Sequence, residues 1–128
     1  MNKNAEPPRL QGAKKLGAEF ETRALEYLQQ RGMALVARNV TFQRGEIDLI
    51  MRDTKNVLIF VEVRARVSMR FGGAGASIGK TKQARLILAA RCYLAAWRGE
   101  LPVCRFDAVI FDGEHISWLT NIFGAEGA

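Results

Sequence analysis

The chain has 128 residues, 48% of them hydrophobic and 25% charged, values that exclude a wholly disordered or fibrous protein. It is long enough to bury roughly two-thirds of its unfolded surface in one core without a disulfide or metal staple. Nineteen Lys and Arg against thirteen Asp and Glu leave +6, a balance that favours polyanionic partners. The only cysteines are Cys92 and Cys104 and the only histidine is His115, so zinc sites and Cys–His or Ser–His chemistry away from His115 are excluded. No apolar run reaches the length of a membrane span, and the N-terminus lacks the apolar stretch of a signal peptide. A cytoplasmic location is expected, with no membrane partner.

Residues 1–12, with Pro7-Pro8 and no periodicity, read as a flexible tail before a single domain over 13–123, and 124–128 as a second tail. Helical spacing runs from Ala13 to Arg31, with Phe20, Ala24, Tyr27 and Leu28 inward and Gly32 as the stop. Strands are predicted at Met33–Phe42, Glu46–Arg52 and Val57–Arg66. A glycine-rich stretch, 68–76, precedes a second helix from Ser77 to Trp97. Strands at Val103–Phe111 and His115–Leu119 follow, joined through Asp112-Gly113. The order α-β-β-β-α-β-β, with a helical crossover, implies a mixed central sheet flanked by helices.

Between Val63 and Gly99 there is no acidic residue, whereas Arg64, Arg66, Arg70, Lys80, Lys82 and Arg85 all fall there. Cations gathered on a strand end, a glycine-rich loop and the start of a helix suit a phosphate backbone, so these residues are candidate nucleic-acid contacts. A solvated basic face is the alternative. Ala74–Thr81 comes close to a nucleotide-binding P-loop. However, Ala74 stands at its first glycine and fewer than fifty residues follow Lys80, too few for the rest of such a core.

The acids of the second and third strands, Glu46, Asp48 and Glu62, carry the chemistry. Ile47, Leu49 and Met51 are predicted to face one way, as are Val57, Ile59, Val61 and Val63. If both sets cover one core, odd residues oppose odd and even oppose even, so Asp48 shares a face with Glu62 and Arg64. The connecting turn must then hold three or five residues, or a bulge, rather than the four of Asp53–Asn56. Paired carboxylates at the margin of an apolar surface raise a pKa unless a cation intervenes. Arg64 can neutralise one, and a hard divalent ion such as Mg²⁺ can neutralise both. A structural ion-pair network with Arg64 and Arg66 is the alternative. Glu21 falls on the inward stripe of the first helix, where it either joins the acid cluster or pairs with a cation at the boundary. Gln83, Tyr93 and Trp97 read as core or core-edge residues, Asp107 as the anchor of a basic residue, and His115 as exposed.

Gly45-Glu46-Ile47-Asp48-Leu49-Ile50, followed by Phe60-Val61-Glu62-Val63-Arg64, resembles the small uncharacterised bacterial family that includes YraN. Phe20-Glu21, Lys82 and Arg105-Phe106-Asp107 extend the likeness over most of the chain. That family is similar to the PD-(D/E)xK nucleases, which have a restriction-endonuclease-like α-β-β-β-α-β core and include Holliday-junction resolvases. The resemblance implies a metal-dependent endonuclease acting on DNA, branched or single-stranded, with Mg²⁺ or Mn²⁺. Asp48 and Glu62 would then be metal ligands and catalytic, Val63 a further ligand through its carbonyl, and Glu21 the helix-borne acid. A homodimer would suit a two-strand cut. Arg64 stands where the pattern has lysine and would be the third catalytic residue: a guanidinium does not act as a general base, but it can hold a phosphate or stabilise transition-state charge. The alternative implied is a nucleic-acid-binding protein on a nuclease-like fold with weak or lost catalysis. Lys80 or Lys82 is the other candidate source of an amine.

Overall fold

The computed structural model describes residues 8–66 and 79–123. Its elements are α1 (Pro8–Gln29), β1 (Ala34–Phe42), β2 (Gly45–Arg52), β3 (Leu58–Arg66), α2 (Lys80–Ala95), β4 (Cys104–Asp112) and β5 (His115–Leu119). The order is the predicted one. Helix α1 begins five residues before the periodicity implies, because Pro8 suits a first helical position, where its missing N–H would have had no partner. The turn after it is closed by Gly32 at φ +90°, a left-handed conformation that glycine adopts without strain. The glycine-rich stretch, Ser77 and the C-terminal tail lie outside the described residues, as do residues 1–7.

The five strands form one sheet in the order β1-β2-β3-β4-β5. Neighbours are antiparallel except β3 and β4, which run parallel on either side of α2. This is the mixed sheet that the α-β-β-β-α-β core requires. Helix α1 covers one face, where Ala24 and Leu28 pack on Leu49, Met51, Ile59, Val61, Val109 and Phe111. Helix α2 covers the other, where Leu86, Ile87, Ala89 and Ala90 meet Ile50, Leu58, Phe60 and Phe106. Burial on both faces explains why β2 and β3 read as near-continuous apolar runs. Among the described residues, no helix is long and apolar enough to cross a membrane.

Strand β2 pairs with β3 as Leu49↔Val61, Ile50↔Phe60, Met51↔Ile59 and Arg52↔Leu58, odd against odd, across a turn of residues 53–57. The turn is therefore odd in length, as the facing rule demands. Asp53 builds it: its carboxylate accepts N–H bonds from Lys55 and Val57 at 2.9 Å each, and Asn56 sits at φ +69°.

Ile47 corrects the predicted alternation. It packs with the α2 cluster, whereas Leu49 and Met51 pack under α1. The change of face falls at Asp48, where both ladders are interrupted. The β1–β2 ladder skips one pair between Arg38↔Leu49 and Val40↔Ile47 without a change of register, its register shift lying between Leu35 and Ala37, and the β2–β3 pairing ends at Leu49↔Val61. Asn39, at the skipped pair between Arg38 and Val40, has φ +53°, a left-handed backbone outside the extended conformation of a strand.

Candidate active site

Asp48 lies in the fork left by these interruptions. Its Oδ2 accepts the Val63 N–H at 2.8 Å, so a side chain satisfies a backbone donor that the β2 ladder does not reach. Glu62, one residue before Val63, is buried, and its carboxyl group hydrogen-bonds that of Asp48. Loss of hydration, and then the charge of Asp48, push the Glu62 pKa from 4.5 up to about 7. The opposing cation is the amine of Lys82, with Nζ 3.2 Å from Glu62 Oε2. Lys82 enters from the first turn of α2, and its half-exposed side chain reaches Glu62 on the central strand β3.

Glu21 approaches from the opposite helix. Partial burial raises its pKa, as does the nearby charge of Asp48; the Arg38 guanidinium and a hydrogen bond with Asn39 act against the rise. Arg38 also fixes the helix to the strand: Nη2 donates to Thr22 Oγ1 at 2.7 Å and to the Ala18 carbonyl at 3.2 Å, with Nε 3.9 Å from Glu21 Oε1. Glu21 is thus both a boundary residue with a cation and an acid within electrostatic reach of Asp48. Glu46 is exposed on β2, 3.5 Å from Thr41 Oγ1. Among the described residues, no three Asp, Glu, His or Cys side chains converge tightly enough to form a ready metal cluster. Two do. Asp48 and Glu62 offer only oxygen and share a hydrogen bond, a donor set that fits a hard divalent ion.

The remaining predicted residues fall at different distances from this pair. Val63 touches Asp48 through its N–H. Arg64 is exposed, and among the described residues no ion pair engages it, so the cation at the acids is Lys82 rather than Arg64. Arg66 ends β3, Lys80 opens α2 and is exposed, Arg85 lines the cleft beside Lys82, and Arg70 lies outside the described residues. Gln83 is half-buried. Asp107 anchors a basic residue as expected: its carboxylate accepts two bonds from Arg105, at 3.0 and 3.1 Å. It also accepts from Trp118 Nε1 and the Asn121 N–H. Arg38 and Arg44 escaped the sequence reading. The signal available for Arg38 was its place on a strand beside an inward acid of the preceding helix.

An α/β protein with two helices on a mixed sheet, and a carboxylate pair with an amine in the fork between two strands, is the class that these features define. Residues 20–111 match the family described as Uncharacterised protein family UPF0102. The chain is 52% identical over 118 residues to a UPF0102 protein of Ralstonia nicotianae, covering 90% of this chain and 91% of that one. It is also 52% identical over 122 residues to UPF0102 proteins of Burkholderia pseudomallei and Burkholderia mallei, covering 94% of this chain and 84% of theirs. The chain belongs to the UPF0102 family.

Proposed function

We propose that the protein is a metal-dependent endonuclease that hydrolyses phosphodiester bonds in DNA, with Asp48, Glu62 and Lys82 as its working residues. The observation that carries this reading is the meeting of Lys82 Nζ with Glu62 Oε2 at 3.2 Å, beside the Asp48–Glu62 hydrogen bond. The PD-(D/E)xK pattern asks for an amine two residues after its second acid. Arg64 occupies that place in the sequence, while Lys82 brings an amine to the second acid from α2. An amine can release a proton to assist a nucleophile, which a guanidinium does not do.

Asp48 and Glu62 would hold Mg²⁺ or Mn²⁺, with the Val63 carbonyl as a further oxygen donor. Such an ion activates water and offsets charge on the phosphate. Lys82 would supply the amine beside this pair, for a phosphate oxygen or the attacking water. Glu21, already held by Arg38, would order water at the far side of the pair. Arg64 suits a phosphate contact rather than proton transfer. A binding protein without turnover is the second reading, favoured by the arginine at position 64.

The test is nicking of plasmid, branched and single-stranded DNA in Mg²⁺ or Mn²⁺. Asp48→Ala and Lys82→Met are expected to abolish cleavage, losing at least 100-fold, on the order seen when general acid–base groups are removed. Arg64→Ala is expected to retain it at a reduced rate. Cleavage unaffected by Asp48→Ala would end the proposal, and binding without cleavage would select the second reading.

A further inference from the structure

Beside the carboxylate pair the surface is hollowed twice along α2. A cleft of about 710 Å³ lies between the β1–β2 turn and α2, with Phe42, Arg44, Gly45, Glu46, Lys82 and Arg85 on its walls. Three cations face one acid there, and one of those cations is the Lys82 that meets Glu62, so the cleft opens onto the site. The turn is fixed against the helix. A Cβ at Gly45 would stand 2.4 Å from the Arg85 carbonyl oxygen, a contact that only glycine permits. Arg44 and Arg85 are both exposed, and with the turn fixed they form opposing walls of a preformed basic groove.

A second hollow of about 380 Å³, lined by Phe42, Cys92, Tyr93, Trp97 and Arg98, lies further along the same helix. Phe42 lines both, so the two hollows adjoin at that side chain. From Arg85 to Cys92 is roughly 10 Å of helix axis, a span that a short extended oligonucleotide covers. Cations followed by an aromatic hollow with an arginine at its rim match the alternation of phosphate and base along one strand. A base inside a duplex has both faces stacked and its edge paired, so it does not enter such a hollow.

Resting on the nuclease reading, we propose that the groove takes an unpaired nucleic-acid strand along α2, with phosphates on Arg44 and Arg85 and a base against Phe42 and Trp97. The strand then runs to Lys82 and the carboxylate pair, which places the preferred cut beside an unpaired segment.

The experiment uses the full chain in EDTA, so that nothing is cleaved. Fluorescence anisotropy is read with a labelled oligo(dT), an oligo(U) of equal length and a blunt duplex. Either single strand is expected to bind at least tenfold more tightly than the duplex. Arg44→Glu and Arg85→Glu are each expected to weaken that binding tenfold or more, at an unchanged thermal midpoint. The strand should quench tryptophan fluorescence in the wild type, and much less in Trp97→Phe, which keeps an aromatic ring in place. Duplex binding as tight as single-strand binding, or affinity indifferent to Arg44→Glu, overturns the groove. A wild type that nicks DNA while ignoring Arg44→Glu rejects the groove alone. A wild type that binds single strands through Arg44 but cleaves nothing in Mg²⁺ or Mn²⁺ rejects the nuclease reading and keeps the groove.

Discussion

Glu62 gives the protein a pH dependence whose direction follows from its surroundings. Its pKa is about 7 in the fold against 4.5 ordinarily, so the folded chain holds a proton that the unfolded chain releases. Below 4.5 both states are protonated and the group is neutral to stability. Between 4.5 and 7 the unfolded chain ionises first and stability falls as pH rises, until the whole loss is in place above 7. Glu21, raised for the same main reason of burial, acts in the same sense. The thermal midpoint of metal-free protein should therefore drop between about pH 5 and about pH 7.5, and Glu62→Gln should flatten much of that slope. Under the proposed function, Mg²⁺ should raise the midpoint more at about pH 8 than at about pH 5, because protons and the ion compete for the same oxygens. A midpoint that climbs with pH in EDTA would contradict this account.

The β1–β2 hairpin is where an element's placement depends on one residue. Adding a methyl group at Gly45 drives Cβ to 2.4 Å from the Arg85 carbonyl oxygen, and a backbone atom cannot rotate away as a side chain would. Either the hairpin or α2 must shift. Gly45→Ala is expected to cost on the order of 1–3 kcal/mol in urea denaturation, the usual penalty for overpacking. Gly17→Ala, where the added carbon meets nothing within 4 Å, serves as the control and should be stable. Elements and their order were legible in the sequence because hydrophobic spacing records which face is covered. The Asp48–Glu62 meeting was legible too, since odd–even pairing across β2 and β3 leaves few registers open. The position of Lys82 was not. How far α2 is rotated over the sheet depends on packing of Leu86, Ile87 and Ala90 against Phe60 and Phe106, and linear spacing carries no trace of it. Ile47 escaped for a related reason: the left-handed backbone at Asn39 and the interrupted pairing at Asp48 switch the face, while the alternation of letters continues undisturbed.

Across the whole molecule, the parts are joined through Asp107. It is fully buried and binds Arg105 and Trp118 as well as the backbone of Asn121, while Arg105 Nη1 stands 3.8 Å from Asp53 in the β2–β3 turn. One carboxylate thereby ties β4 to β5, to the segment after it and, through Arg105, to the turn that sets the β2–β3 register. Asp107→Ala leaves a guanidinium, an indole N–H and an amide without their acceptor. It is expected to destabilise the protein by about 3–5 kcal/mol, the scale for removing one partner of a buried pair. Asp107→Asn should be milder because it keeps an acceptor for Trp118 and Asn121, and chemical denaturation of the two variants separates the charge from the hydrogen bonds. If both variants unfold at the wild-type denaturant midpoint, the linkage has no structural weight.

The interruption of the ladders at Asp48 has a wider consequence. A sheet that closed its pairing past that residue would be sturdier, and with an apolar side chain there it would be chemically silent. This chain instead keeps two acids that share a hydrogen bond at a seam where strands part, and fastens an amide to one of them. Under the proposed function, protein engineers who stabilise the fold by mending that seam should obtain a more robust molecule and, in the same stroke, an inert one.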